Sequence, residues 1–234
     1  LEDAVFYEVY PQSFRDSNGD GIGDIPGITE KLEYIQELGC NALWINPCFT
    51  SPFYDAGYDV EDYYSVAPRY GTNEDLKKLF EAAHQRGMHV LLDLVPGHTA
   101  VTHPWFQESM KAEKNEYTDR YVWTDSLYKR MEDVKGIVSV LRGISPRPAS
   151  CGVNCFSTQP ALNYGFANIT DAGWQQPTDA PGPMATREEL KNIMRFWLTL
   201  GCDGFRVDMA GSLVKNDEDK KETIRLWQDV RAFL

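Results

Sequence analysis

The chain has 234 residues, 42% of them hydrophobic and 25% charged, a balance that fits a globular domain with a substantial core and excludes disordered and collagen-like classes. Its formal net charge of −12, from 23 Lys and Arg against 35 Asp and Glu, leaves no basic stripe to neutralise phosphates, so nucleic acid is not an expected partner. No run approaches the roughly 20 apolar residues a membrane helix needs, and Leu1-Glu2-Asp3 carries no basic leader region, although the absence of an initiator Met leaves the compartment, cytoplasmic or secreted, open.

The elements are read in chain order. Val5 to Tyr10 is a β-branched and aromatic run ending at Pro11 and predicts a strand. Ile28, Leu32, Ile35 and Leu38 recur at helical spacing before Gly39, and the strand Ala42 to Ile45 begins at once. The next helix opens on a capping-box pattern, Thr72-x-x-Asp75, buries Leu76, Leu79, Phe80 and Ala83, ends at Gly87 and feeds the strand Val90 to Val95. A third helix is predicted to open at Thr186-x-x-Glu189 and stop at Gly201, before the strand Gly204 to Val207; a fourth fills Asp219 to Phe233.

These strands are short and almost wholly apolar, as parallel strands buried on both faces are. Their junctions echo one another: Leu38-Gly39-Cys40-Asn41 precedes the second strand and Leu200-Gly201-Cys202-Asp203 the fourth. Over about residues 96–185 run roughly 90 residues rich in Pro, Gly, Asn and aromatics, too long for a plain loop, which predicts an inserted subdomain with short strands near Tyr121 to Thr124 and Ile137 to Leu141. Four βα units are half of what a closed (β/α)8 TIM barrel needs. The expected organisation is a first barrel portion over residues 1–98, an insertion over 99–185 and a continuation of the barrel over 186–234. Open strand edges in such a half-barrel call for cover, by a remaining barrel half or by self-association.

The five cysteines are an odd, scattered set rather than a disulfide framework. Cys151 and Cys155 fit either a small closed loop or two thiols, while Cys40 and Cys202, each just before a strand, read as buried thiols. The 6 Trp, 12 Tyr and 11 Phe supply rings for stacking on sugars as well as for core packing.

Four constellations carry chemistry. Asp16-Ser17-Asn18-Gly19-Asp20-Gly21-Ile22-Gly23-Asp24 alternates oxygen side chains with glycines, so Asp16, Asn18, Asp20, Asp24 and the Ile22 carbonyl can wrap a hard cation such as Ca²⁺. It is similar to the first nine positions of an EF-hand loop, but the twelfth is Gly27 rather than Glu; a simple acidic turn is the alternative. Asp93 and His98, at and just beyond the end of a strand, would face substrate if the strands belong to a βα barrel, or serve as structural groups if they do not. Arg206 and Asp208 fall on the same side of their strand, so the guanidinium can hold the carboxylate's rotamer, as a glycosyl nucleophile requires; a structural ion pair would look the same. Asp55 and Tyr58 follow the second strand and pair an acid with a ring, a combination that grips sugars and that loop composition also produces.

With these motifs in this order, beginning at Phe6-Tyr7-Glu8-Val9-Tyr10-Pro11-Gln12-Ser13-Phe14 and ending at Gly204-Phe205-Arg206-Val207-Asp208, the sequence resembles the α-amylase superfamily of retaining glycoside hydrolases, glycoside hydrolase family 13, most of all its oligo-1,6-glucosidase and α-glucosidase branch. The resemblance implies a (β/α)8 barrel with an inserted domain B after the third strand, and an α-linked gluco-oligosaccharide as substrate. It implies Asp208 as nucleophile with Arg206 its partner, and His98 and Asp93 as substrate-binding groups. Asp55 and Tyr58 would recognise a non-reducing terminal glucose, and the Asp16 to Asp24 loop would be a Ca²⁺ site. Gln159-Pro160-Ala161-Leu162-Asn163 stands where the family has Gln-Pro-Asp-Leu-Asn, and Gly97 where it has Asn. The family's general acid and its transition-state-stabilising Asp and His would follow Leu234, so the resemblance implies a longer parent enzyme and an inactive isolated segment. An endo-acting α-amylase and a non-catalytic amylase-like module are the competing expectations.

Overall fold

The computed structural model describes residues 2–234. In chain order the elements are β1 (Phe6–Val9), α1 (Pro11–Phe14), α2 (Ile25–Glu30), α3 (Leu32–Glu37), β2 (Ala42–Ile45), β3 (Phe49–Thr50), β4 (Asp62–Val66), α4 (Asn73–Gln85), β5 (His89–Leu94), α5 (Pro104–Ser109), β6 (Ser139–Leu141), β7 (Cys151–Val153), α6 (Pro181–Leu200), β8 (Gly204–Val207) and α7 (Lys221–Phe233). They group into two compact units. The first takes in the described part of Leu1–Tyr58 with Asp62–Leu94 and Ile193–Asp208; the second takes in Asp59–Glu61, Val95–Asn192 and Met209–Leu234.

The first unit is built on a four-stranded sheet in the order β1-β2-β5-β8, parallel throughout. The inner strands β2 and β5 are buried along nearly their whole length, which is why their sequences are continuous apolar runs instead of alternating ones. The edge strands β1 and β8 are more exposed. Four consecutive parallel strands, with helices in the connections, are the first part of a (β/α)8 barrel, as the sequence pattern predicts.

The echoed junctions have a structural reason. Asn41 donates its N–H to the Val5 carbonyl (3.1 Å) and accepts the Val5 N–H on its side-chain oxygen (2.7 Å). Asp203 repeats the clamp on Val90, with N–H to carbonyl at 2.9 Å and Val90 N–H to carboxylate at 2.7 Å. Each new strand is thus latched to its neighbour one residue before pairing begins. Gly39 and Gly201, with φ of 86° and 117°, supply the left-handed turn that brings each chain from helix to latch.

The α4 helix carries the predicted capping box in full, with Thr72 and Asp75 exchanging side-chain to backbone hydrogen bonds, and it buries Leu76, Leu79, Phe80 and Ala83. Other expectations are corrected. The single helix expected from Ile28 is two short ones, interrupted at Lys31, and the first starts at Ile25 because the Asp24 side chain caps it through Gly27 N–H (2.7 Å). The helix expected to open at Thr186 already runs from Pro181, and Thr186 bonds back to the Gly182 carbonyl (3.1 Å) within it. The β3–β4 hairpin and α1 are additions that periodicity does not reveal, each being too short to establish a period. Trp197 anchors the apolar interior of the first unit, stacked on Phe49 at 5.0 Å with its indole N–H donated to the Tyr63 carbonyl at 2.8 Å.

The second unit contains the antiparallel pair β6–β7 and a set of single bridges, His98 with Ala161, Tyr121 with Leu162, Trp123 with Cys151 and Val153 with Pro160. Of the strands expected there, the one near Ile137 forms as β6, whereas Tyr121 to Thr124 makes only isolated bridges. Its hydrophobic cluster is Val122, Met131, Val134, Ala161 and Phe166.

No disulfide forms among the described residues, and Cys40 is half-buried, where the sequence suggested a buried thiol. Burial pushes the Cys48 and Cys202 thiols up to about 12, so both act as small apolar packing groups. Among the described residues no helix is long and apolar enough to cross a membrane.

Candidate active site

The strand register brings the candidate residues of the first unit together. In the β5–β8 ladder Asp93 lies opposite Arg206, so both side chains leave the same face at the carboxyl ends of adjacent parallel strands. Asp208 follows β8 directly, its N–H bonded to the Leu94 carbonyl at 2.8 Å, and alternation returns its side chain to the Arg206 side.

Arg206 does not serve Asp208 alone. Its Nη1 donates to both oxygens of Asp93, at 3.0 and 3.2 Å, and to Oδ1 of Asp208 at 2.9 Å. The guanidinium also sits over the Trp44 ring, 4.8 Å from its centroid. Asp93 receives two further bonds on Oδ2, from the Trp44 indole N–H (3.0 Å) and the Tyr58 hydroxyl (3.2 Å). Asn46 extends the network, donating to Tyr58 Oη at 3.4 Å and to Glu8 at 3.1 Å. Glu8, Trp44 and Asn46 are additions to the predicted set. Their signal in the sequence was position alone: polar or ring-bearing residues at or just past the ends of the first two strands.

The electrostatics follow from burial. The Asp93 side chain has no exposed surface, and desolvation raises its carboxyl to about 6 against the opposing pull of Trp44, Arg206 and Tyr58. The Tyr58 hydroxyl is pushed up to about 12, by burial first and by the Asp93 charge second, so it remains a donor. Asp93 is therefore an anchor whose oxygens are already taken, while Asp208, 16% exposed at its side chain, is the carboxylate that retains open surface.

Asp55 lies half-buried in the turn that delivers Tyr58, its carbonyl accepting the Tyr58 N–H at 2.8 Å. That turn is strained, with positive φ at Phe53 (59°), Ala56 (52°) and Gly57 (99°). A Cβ at Gly57 would meet the Pro47 carbonyl oxygen at 2.8 Å, so only glycine fits there. His98 belongs to the second unit, where it is buried and its Nδ1 lies 3.1 Å from Asn154 Nδ2.

The predicted cation loop is a chain of side chain to backbone turns. Asp16 accepts the N–H groups of Asn18, Gly19 and Gly21, Asn18 accepts that of Asp20, and Asp20 that of Ile22. Asp24 accepts from Ser17 N–H and hydroxyl on one oxygen and from Gly27 N–H on the other. Among the described residues no group of three or more His, Cys, Asp or Glu side chains is placed to hold a metal ion, so a cation here would depend on the Asn18 amide and the Ile22 carbonyl as well.

Comparison with known proteins identifies the family and the fold. A family profile described as the alpha-amylase catalytic domain matches residues 8–230. Oligo-1,6-glucosidase from a Bacillus species is 38% identical over 214 residues, covering 92% of this chain and 39% of its own length. Trehalose synthase/amylase TreS from Mycolicibacterium smegmatis is 40% identical over 237 residues, covering 99% of this chain and 36% of its own. Among solved structures, trehalulose synthase MutB from Pseudomonas mesoacidophila superposes with a TM-score of 0.80 at 33% identity, covering 99% of this chain and 42% of that one. The chain thus spans about two fifths of the length of these relatives. With the parallel strands, the guanidinium shared between two carboxylates at their ends and a profile match over nearly its full length, the chain belongs to the alpha-amylase family and represents part of its catalytic barrel.

Proposed function

We propose that the protein carrying this chain is a retaining glycoside hydrolase acting on α-glucosidic bonds of short oligosaccharides, with Asp208 as nucleophile. The observation that carries this reading is Arg206, locked by the buried Asp93 and aimed at Asp208 from the same strand end. A carboxylate held in one rotamer by a positioned guanidinium can attack an anomeric carbon without reorganising. The bond from Asp208 to that carbon forms as the bond to the leaving oxygen breaks, and water or a sugar hydroxyl then releases the glycosyl group.

The leaving oxygen needs a proton from a second carboxyl about 5 to 5.5 Å from the first. Asp93 is not that acid, because its buried oxygens already accept from Arg206, Trp44 and Tyr58. The acid belongs to further strands of the barrel, which would also pair with the edges of β1 and β8. Tyr58, its hydroxyl tied to Asp93, and the adjacent Asp55 form the ring and acid that hold a terminal glucose, and His98 binds a sugar hydroxyl. Relatives named as glucosidases and as trehalose or trehalulose synthases favour one glycosyl intermediate used for either hydrolysis or transfer.

The loop from Asp16 to Asp24 binds Ca²⁺. Its all-oxygen donor set fits a hard cation, and a carboxylate with lone pairs on both oxygens can accept a backbone N–H and a metal together. Bound Ca²⁺ would tie the loop between α1 and α2 into one conformation.

The test is turnover of p-nitrophenyl α-glucoside by the intact protein and by Asp208→Asn. The variant is expected to lose a factor on the order of 10⁴ or more while keeping its fold. Turnover unchanged by that substitution would overturn the assignment.

A further inference from the structure

The residue before His98 has no side chain, yet the space beside its backbone is filled. A Cβ built on Gly97 would lie 2.5 Å from Asn154 Nδ2 and 3.4 Å from Asn154 Cγ. The amide comes from the residue just after β7, more than fifty positions away in the chain. Asn154 is buried, and its backbone N–H is fixed to the Gln159 carbonyl at 3.1 Å. On the other side, Leu162 N–H bonds the Gly97 carbonyl at 3.0 Å and His98 bridges Ala161, so the segment carrying the histidine is held by its neighbours while the amide approaches its ring.

The orientation of the amide follows from what lies behind it. Lys215 is wholly buried and donates from Nζ to the Ser212 carbonyl at 2.8 Å and to Asn154 Oδ1 at 3.4 Å. The amide oxygen therefore faces the lysine and the amide nitrogen faces His98 Nδ1, at 3.1 Å. An amide NH₂ only donates, so Nδ1 accepts and the ring proton sits on Nε2.

We infer that Asn154 is the positioning residue for His98: it fills the space left by Gly97 and fixes the imidazole as the Nε2–H tautomer, in which Nε2 is a donor. Lys215 sets the polarity of this chain of groups by occupying the amide oxygen. The consequence for sugar binding rests on the proposed function; the tautomer does not.

The experiment uses the intact protein labelled with ¹⁵N-histidine, with His98 identified by the loss of its signals in His98→Gln. In the wild type, Nδ1 should give the shift of an unprotonated nitrogen and Nε2 that of a protonated one. Asn154→Asp, nearly isosteric, presents only acceptors and should move the proton to Nδ1. Asn154→Ala should leave a mixture of tautomers and raise KM for p-nitrophenyl α-glucoside by about tenfold, the worth of one hydrogen bond, with a smaller change in kcat.

Gly97→Asn alone should fail for want of space, whereas Gly97→Asn combined with Asn154→Gly should restore the tautomer. A wild-type His98 carrying its proton on Nδ1, or a tautomer untouched by Asn154→Asp and Asn154→Ala, overturns the inference. A tautomer that moves as expected while KM stays constant upholds it and overturns instead the reading of His98 as a sugar ligand.

Discussion

Asp93 and Asp16 are both aspartates that gather hydrogen bonds, and they respond in opposite directions. Asp93 takes two bonds from Arg206 and one each from Trp44 and Tyr58, yet burial raises its carboxyl to about 6. Asp16 takes three bonds from backbone N–H groups in an open loop, and those bonds, from Gly21 first and then Gly19, hold its carboxyl below the usual range. Donors favour the charged form in both places. What differs is the loss of water, which at the strand ends outweighs even a guanidinium and in the loop ranks below the bonds from Gly21 and Gly19. A carboxylate buried in a sheet is therefore costly and serves to fix a neighbour, whereas one exposed in a loop costs little and can take a ligand.

The comparison breaks most visibly if the guanidinium is removed. Arg206→Ala strands the buried Asp93 carboxylate and should destabilise the intact protein by about 3 kcal/mol, measured by urea denaturation; a loss near zero would mean that Trp44 and Tyr58 suffice. In the loop the corresponding experiment is chelation. If Ca²⁺ occupies the site at a hundredfold excess over its Kd, EDTA should remove about 2.7 kcal/mol and lower Tm, and Asp20→Ala should abolish the effect. A Tm indifferent to EDTA would reduce the loop to its turns.

Acid titration sharpens the contrast because the signs are opposite. Asp93 has a folded-state value above that of the unfolded chain, so its contribution is complete below about pH 4 and is lost as pH rises through about 6, roughly 3 kcal/mol in all. Wild type should therefore lose stability relative to Asp93→Asn between pH 4 and 7. Asp16, shifted down, contributes above its unfolded value and loses that contribution as pH falls through its lower folded value, so wild type should gain on Asp16→Asn as pH rises to about 4 and stay level above it. Calorimetric Tm values of the three proteins across both pH windows decide it, and curves parallel in both would refute the contrast. The smallest effect expected is that of Tyr58→Phe, which deletes one donor to Asp93 and should cost about 1 to 2 kcal/mol by thermal melting.

Much of the first unit was legible in the sequence because its signals are local. Apolar runs of four to six residues and the Thr72 to Asp75 box each depend on a few adjacent residues and form where they were expected, whereas of the helices of period 3.6 ending in glycine only α4 keeps its expected start. The shared side of Arg206 and Asp208 was legible for the same reason, since alternation along a strand needs no partner. The helix start at Pro181 was not, because a Pro-Gly-Pro opening resembles a turn until the following residues pack. Asp24, read as a cation ligand, also caps α2, and only the folded loop reveals that double engagement.

The amino-acid sequence by itself determined the parallel βα order, the carboxylate after the fourth barrel strand and the family to which they belong. Tertiary structure decided which groups those residues serve. The β5–β8 register sets Asp93 opposite Arg206 and so makes the arginine a bridge between two carboxylates instead of the partner of one. The fold likewise brings Asn154 to the space beside Gly97, and burial sets the protonation of Asp93. Side-chain period and capping are properties of neighbouring residues along the chain, whereas register, close approach and desolvation exist only after distant segments have packed.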